Sequence, residues 1–97
     1  IFNFCNFSEA SLQECDLSRA KLFSANLQNA RLNFSSLNSA TMIGAKACGA
    51  DLKQVNLDRA NLAMADLSNS DFKGSSMNGV FEQDTVYDGA NLEGITK

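Results

Sequence analysis

The side chains that could carry chemistry are three cysteines and a large number of Ser, Asn and Asp residues, and the chain contains no histidine. Histidine is the usual proton shuttle near neutral pH and a frequent zinc ligand. A serine such as Ser35 or Ser70 therefore has no base that could activate it as a nucleophile. Cys5, Cys15 and Cys48 match no zinc spacing, and their odd number does not make a disulfide framework. These residue types predict no enzyme, no metal site and no cofactor.

Amino-acid composition limits the classes of protein to which the chain can belong. With 97 residues the chain is long enough for one small domain, and 44% apolar with 20% charged residues is typical of a folded protein. No stretch approaches the roughly 18 apolar residues of a membrane span, so no membrane insertion is expected. Three free cysteines are compatible with a reducing compartment and favour a cytoplasmic location. The start at Ile1 suggests a fragment of a longer protein.

Charge disfavours two kinds of partner. The net charge is -3, and residues 51–97 carry eight acidic but only four basic side chains. Nucleic acids and anionic lipids both require a basic surface. We therefore expect no direct binding of nucleic acid.

The elements that must position these side chains follow from a repeat of five residues. Apolar residues recur neither at the helical period of 3.6 nor at the strand period of 2. We call the two series of this repeat the large column and the small column. The large column is Phe2, Phe7, Leu12, Leu17, Leu22, Leu27, Leu32, Leu37, Met42, Ala47, Leu52, Leu57, Leu62, Leu67, Phe72, Met77, Glu82, Tyr87 and Leu92. The small column lies two residues earlier in each unit and is Cys5, Ala10, Cys15, Ala20, Ala25, Ala30, Ser35, Ala40, Ala45, Ala50, Val55, Ala60, Ala65, Ser70 and Ser75.

Glycine identifies the turn within each unit. All six glycines lie two residues after the large column, where Asn29 and Asn69 also occur. Glycine and asparagine are the residues that most readily adopt positive φ, as a type II turn requires. Each unit is thus predicted to be a short extended side followed by a corner.

The units Ala25-Asn26-Leu27-Gln28-Asn29, Ala50-Asp51-Leu52-Lys53-Gln54 and Ala90-Asn91-Leu92-Glu93-Gly94 resemble the A(D/N)LxX signature of pentapeptide repeat proteins. The resemblance covers essentially the whole chain, as a single domain over residues 1–97. It implies an all-β fold, a right-handed quadrilateral parallel β-helix of about five coils with four pentapeptides per coil. Residues twenty apart would then stack on one another.

One segment breaks the pattern. Glu82 occupies a large-column position, so we expect it to swing outward while Phe81 or Val80 turns inward. The sequence therefore predicts a bulge or short loop, an irregular segment at about residues 80–86.

Polar residues in the repeat are expected to have structural roles. Ser35 and Ser70 lie in the small column, and Cys5 and Cys15 fill it as compact apolar side chains. Cys48 faces outward without a cationic neighbour that would stabilise a thiolate. Nine Asn and Asp residues just before the large column should accept hydrogen bonds from the backbone of the turn. They are Asn6, Asp16, Asn26, Asp51, Asn56, Asn61, Asp66, Asp71 and Asn91.

An apolar strip is the main candidate site. Grouping by twenty places five apolar residues at outward positions on one side of the rod: Phe4, Phe23, Ile43, Ala63 and Met64. Elsewhere these outward positions are mostly polar, with Phe34 the main exception. A contiguous exposed apolar strip often marks a contact surface, although isolated apolar residues on a surface are ordinary.

Two functions compete. The first is a noncatalytic structural or protein-binding module that uses one side of a rigid rod, with an unknown protein or a second copy as the partner. The second is implied by the resemblance, because some pentapeptide repeat proteins look like DNA and inhibit DNA gyrase or protect it from drugs. Such a mimic should be long, strongly acidic and dimeric. The modest net charge and the scattered Lys and Arg residues favour the first.

Overall fold

The computed structural model describes residues 1–97, which form a β-helix in which one coil takes twenty residues. Fifteen parallel β-bridges join each residue just before the large column to the residue twenty positions later, from Asn6–Asn26 to Ser76–Thr96. Each bridge is a single residue pair, so the bridges do not join into continuous strands. The chain contains no helix. Each bridge residue forms the centre of one side, and four sides make one coil. The chain therefore completes nearly five coils.

A two-residue turn separates one side from the next. In the unit that starts at Leu22, the N–H of Ala25 donates to the carbonyl of Leu22 at 3.0 Å. The second turn residue has positive φ in every unit, in six glycines and thirteen other residues. This conformation identifies a type II turn and confirms the predicted turn position.

Glycine avoids a close contact at two of these turns, those of Gly49 and Gly89. A Cβ atom on Gly49 would lie 2.4 Å from Oδ1 of Asn29, which occupies the same turn one coil earlier. Other units tolerate larger residues because the side chain of the second turn residue points toward solvent.

The core consists of the two predicted columns. Every member of the large column from Leu22 to Met77 and every member of the small column from Ala25 to Ser75 is buried. Stacking at the inter-strand spacing of about 4.8 Å brings like side chains of successive coils into contact. The coils themselves are joined by backbone hydrogen bonds, such as Leu52 N–H to Asp71 O at 2.7 Å.

Two buried serines replace a turn hydrogen bond in the preceding coil. The hydroxyl of Ser75 donates to Leu52 O at 2.5 Å and accepts from the N–H of Val55 at 3.1 Å. Ser35 makes the same bridge between Leu12 O and Cys15 N–H, at 2.6 and 3.1 Å. A buried hydroxyl without a hydrogen-bond partner is costly. Each of these serines places its hydroxyl between the N–H and the carbonyl of a turn one coil earlier, where it replaces the direct hydrogen bond of that turn.

The predicted role of Asn and Asp before the large column is confirmed. In all nine units the side-chain Oδ1 accepts a hydrogen bond from the backbone N–H two residues later, as Asn56 does from Asp58 at 2.9 Å. That N–H belongs to the first turn residue and donates to no backbone carbonyl, whereas the carbonyl of several first turn residues accepts from the preceding coil. The side chain therefore satisfies a donor that the coil leaves free.

Residues 80–86 differ from the prediction. Phe81 and Val86 form regular bridges to Asn61 and Asp66, and Asp84 has the usual positive φ of 60°. Glu82 stays in the large column and Phe81 faces outward, while Val80 occupies the small column and packs against the core. The predicted bulge is absent, although the Val80 N–H does not make the usual turn bond.

Glu82 can remain in its column because its carboxylate has partners there. Tyr87 donates its hydroxyl to Oε2 of Glu82 at 2.9 Å, and the ammonium group of Lys97 pairs with Oε1. Glu82 also keeps 29% of its side-chain surface exposed. A carboxylate that is paired and partly hydrated carries little of the cost that would drive it out of the column.

No helix in the structure has the length and apolar character that a membrane crossing requires.

Candidate interaction surface

The five candidate residues lie along one corner of the rod. Phe23, Ile43 and Ala63 are first residues of their turns, and Phe4 and Met64 are second residues. The sequence predicted that these residues share one side of the rod. The structure places them on one corner instead, because turns form the corners and bridge residues form the flat sides. We call these five residues the apolar ridge.

Exposure differs along the apolar ridge. Phe4 is 72% exposed, Met64 61% and Phe23 40%, whereas Ile43 and Ala63 are half-buried. The rings of Phe4 and Phe23 meet edge to face, with centroids 5.6 Å apart, an arrangement that aromatic pairs prefer. The apolar ridge therefore includes residues from four successive coils, with a direct ring contact between the first two.

The flat side that leads into the apolar ridge is formed by one residue from each coil, and all but the first of these residues form bridges. These residues are Ile1, Lys21, Thr41, Asn61 and Phe81. Ile1 and Phe81, at the two ends, are exposed and apolar. Across this side lies the corner that carries Arg19 and Arg59, both exposed. We call these residues together with Arg19 and Arg59 the basic side, since they include three cations. One carboxylate borders them, that of Asp58, the turn residue just before Arg59.

Carboxylates concentrate on the other sides. Asp51 and Asp71 are bridge partners, and Lys53 lies 3.1 Å from Asp51 and 3.8 Å from Asp71. Glu93 lies on the adjoining corner and forms a mildly acidic stripe with the two aspartates. The lysine between the two aspartates neutralises part of that stripe. Coulombic and hydrogen-bond interactions with Asp51, and more weakly with Asp71, raise the pKa of Lys53.

Hydroxyl and amide groups cover the side beyond Arg19 and Arg59. Ser18 and Ser36 both donate to Oδ1 of Asn38, at 2.7 and 2.6 Å. The hydroxyl of Ser76 donates to Asp58 at 2.5 Å, and this bond, with the backbone N–H of Asn78 and the charge of Arg59, lowers the pKa of Asp58. The polar groups of this side are thus largely bonded to one another.

The cysteines remain apart. All three are free thiols and half-buried, with Cys5 and Cys15 in the small column and Cys48 on a corner. No group of three or more His, Cys, Asp or Glu side chains converges on a point where a metal ion could bind. No pocket is found either, and the candidate site is an exposed surface.

Sequence reasoning missed the basic side and the outward position of Phe81. Grouping residues by twenty would have placed Arg19, Lys21 and Arg59 near the apolar ridge. The expectation that Glu82 leaves the large column prevented Phe81 from being recognised as a surface residue.

Comparison with known proteins identifies the family. The family model of pentapeptide repeats matches residues 1–33 and 35–79, with eight copies. Since this match covers most of the chain and the coil geometry agrees with it, the chain belongs to the pentapeptide repeat family, whose solved members include right-handed β-helices. The match indicates no catalytic family.

Two solved structures are similar over nearly the whole chain. A pentapeptide repeat protein from the thylakoid lumen of Arabidopsis thaliana is 25% identical, with a TM-score of 0.60, over 97% of this chain and 62% of its own. QnrB1, a plasmid-mediated fluoroquinolone resistance protein, is 18% identical, with a TM-score of 0.57, over 95% of this chain and 60% of its own. The chain thus spans about three fifths of the length of these relatives. No curated protein matches it by sequence.

Proposed function

We propose that this chain is a noncatalytic module that binds a protein partner through the apolar ridge. The observation that carries the proposal is the vertical run of Phe4, Phe23, Ile43 and Met64, which comes from four coils and faces solvent at one corner. The contact between Phe4 and Phe23 covers only part of their surface, and Phe4 and Met64 remain mostly exposed. Burial of the same side chains against a partner removes apolar area from water, at about 25 cal/mol per Å² before the costs of association.

Rigidity supports this role. Backbone hydrogen bonds between coils hold the apolar ridge, including Phe4 N–H to Phe23 O at 2.9 Å and Ser24 N–H to Ile43 O at 2.9 Å. A surface that is ordered before binding loses little conformational entropy when a partner docks. Solenoid proteins commonly use extended surfaces of this kind for binding.

Mimicry of DNA toward gyrase is the weaker candidate. The likeness to QnrB1, at 18% identity, concerns the fold alone. A DNA mimic requires a dense negative surface, whereas this chain has a net charge of only -3 and one of its sides carries three cations. A gyrase supercoiling assay separates the two functions, because inhibition or drug protection at micromolar protein would favour the mimic.

The proposal is tested with the double variant Phe23→Ser, Ile43→Ser. Ile43 is half-buried and Phe23 contacts Phe4, so the free energy of unfolding should fall by about 1 to 2 kcal/mol, less than for removal of a core side chain. Binding of the protein partner, measured by pull-down, and self-association, measured by sedimentation, should be lost. Phe34→Ser is the matched control, because Phe34 is also an exposed turn residue but lies on a different corner.

Two outcomes would overturn this assignment. If the double variant unfolds far more easily than wild type, the two side chains contribute to the core and do not form a free surface. If neither stability nor association changes, the apolar ridge does not bind the partner.

A further inference from the structure

The charge on the basic side points to the chemistry of the partner. Arg19, Lys21 and Arg59 are exposed and form no salt bridge, whereas Lys53 and Lys97 are paired with carboxylates. The basic side and its two corners carry these three cations against the carboxylates of Asp58 and Asp84, apart from the paired Glu82 and Lys97. The local charge is therefore positive, although the net charge of the chain is -3. The three cations are available to pair with carboxylates of a second molecule.

The cations and the apolar ridge border the same flat surface. Lys21 lies at the centre of the basic side, with Phe23 on the next corner along the chain and Arg19 on the previous one. Arg59 stacks two coils beyond Arg19, at a separation of roughly 10 Å given the inter-strand spacing. Thr41 and Asn61, between Lys21 and Phe81, are short, half-buried polar residues.

We propose that the basic side and the apolar ridge together hold an acidic amphipathic segment of a partner protein. This inference rests on the proposed function and adds the partner's chemistry and position. The segment would lie along the rod over Thr41 and Asn61. Its apolar side chains would contact the apolar ridge, and its Asp or Glu side chains would pair with Arg19, Lys21 and Arg59. Arginine suits such a partner because its guanidinium group can bind a carboxylate through two parallel hydrogen bonds.

Other occupants fit less well. A second copy bound through the same surface would bring two sets of Arg19, Lys21 and Arg59 together, which is electrostatically unfavourable. An anionic membrane and a nucleic acid strand both present negative charge over a wider area than one short segment does. They would therefore also meet Asp66 and Asp84, which flank the C-terminal part of the apolar ridge.

The test uses dodecapeptides selected from a random library on the wild-type protein. We expect the selected peptides to combine Asp or Glu with Leu, Ile or Phe. Their affinity, measured by fluorescence anisotropy, should fall at least tenfold in the variant Arg19→Glu, Arg59→Glu and should weaken as salt is raised. Glutamate is compatible with these positions, because Glu9 and Glu14 already occupy the same turn position with φ of 61° and 57°.

The matched control is Arg31→Glu, Lys73→Glu. It makes the same change in net charge at exposed cations that lie outside the basic side and form no salt bridge. Peptide affinity should change less than threefold in this variant. Equal loss in both variants would show that net charge alone attracts the peptides, which would overturn the inference. Thermal unfolding of each variant verifies that the coils remain intact.

The remaining outcomes separate this inference from the proposed function. One outcome is that peptide binding is abolished by the double variant Phe23→Ser, Ile43→Ser and unaffected by the double variant Arg19→Glu, Arg59→Glu. In that case the apolar ridge is an interface, and the inference that the partner is acidic is wrong. If neither variant reduces binding, or if no acidic peptide is selected, the inference fails. Vesicles containing phosphatidylserine and a single-stranded oligonucleotide serve as further probes. If no acidic peptide is selected but the vesicles or the oligonucleotide bind through Arg19 and Arg59, the partner is a membrane or a nucleic acid and the inference is overturned.

Discussion

Leu22 and Phe23 are neighbours in the chain, yet Leu22 is completely enclosed by the core and Phe23 lies on the apolar ridge. The same contrast occurs at Met42 and Ile43 one coil later. In each pair the first residue contacts the columns of adjacent coils, whereas the second begins a turn and faces water. Side chains of similar character therefore contribute to stability at one position and remain available for binding at the next.

The strongest test of this contrast is removal of a large side chain from the middle of the core. Leu52→Ala should lower the free energy of unfolding by about 2 to 5 kcal/mol, because the backbone ladder prevents neighbouring coils from closing the cavity. Leu92→Ala is the control, since Leu92 lies in the same stack but is exposed. Denaturant unfolding measures both. Equal losses at the two positions would contradict the inward assignment of Leu52.

A buried hydroxyl should have a smaller effect. Ser75→Ala removes the bridge between Leu52 O and Val55 N–H, and we expect a loss of about 1 to 3 kcal/mol from the unpaired buried groups. Ser70→Ala is the matched control. Its hydroxyl bonds only to Leu67 O, which also accepts the N–H of Ser70 at 3.3 Å. A Ser75 variant as stable as wild type would mean that the turn closes without the hydroxyl.

The last coil can be probed through Tyr87, the single tyrosine of the chain. Burial, together with the hydrogen bond and negative charge of Glu82, raises the pKa of Tyr87 above its usual value of 10.0. Absorbance at alkaline pH should show ionisation at higher pH in the folded than in the unfolded protein. Since the folded-state pKa is raised, the associated stability is complete below the unfolded pKa and is lost as pH rises through the folded one. Glu82→Gln should lower the midpoint, and an unchanged midpoint would argue against the contact with Glu82.

The smallest effect is expected at Asp58, beside the basic side. Its folded-state pKa is lowered, chiefly by the hydroxyl of Ser76, so its contribution to stability is present above the unfolded pKa and is lost as pH falls through the folded one. Asp58→Asn should therefore reduce the loss of stability between neutral and strongly acidic pH. Asp88→Asn is the control, because no side-chain hydrogen bond involves Asp88. Identical acid unfolding of wild type and Asp58→Asn would contradict the stabilising role of the Asp58 carboxylate.

Much of the fold could be predicted from local features of the sequence. Leucine at every fifth position, alanine two residues earlier and glycine two residues later specify an inward pair and a turn without reference to distant residues. The backbone role of residues such as Asn56 was also predictable, because the group it satisfies lies only two residues away. These features depend on contacts within one unit, which the sequence contains in full.

The candidate site was predictable only in part. The five residues of the apolar ridge follow from the twenty-residue stacking, but their position on a corner and the neighbouring basic side depend on where each turn points. Glu82 shows the same limit. Its type indicates an outward position, whereas Tyr87 and Lys97 provide the contacts that keep it in the large column.

The sequence by itself determined the repeat, the identity of the buried columns and the positions of the turns, because each depends on residue type at a fixed spacing along the chain. The tertiary structure alone decided which coil supplies the partner for Val55 N–H, that residues 80–86 continue the coils, and that Arg19 and Arg59 border the same flat side as Phe23. These arrangements arise from contacts between residues brought together by a turn or by stacking. The physical reason is that a hydrogen bond or a charge pair depends on distance in space, which local sequence does not specify.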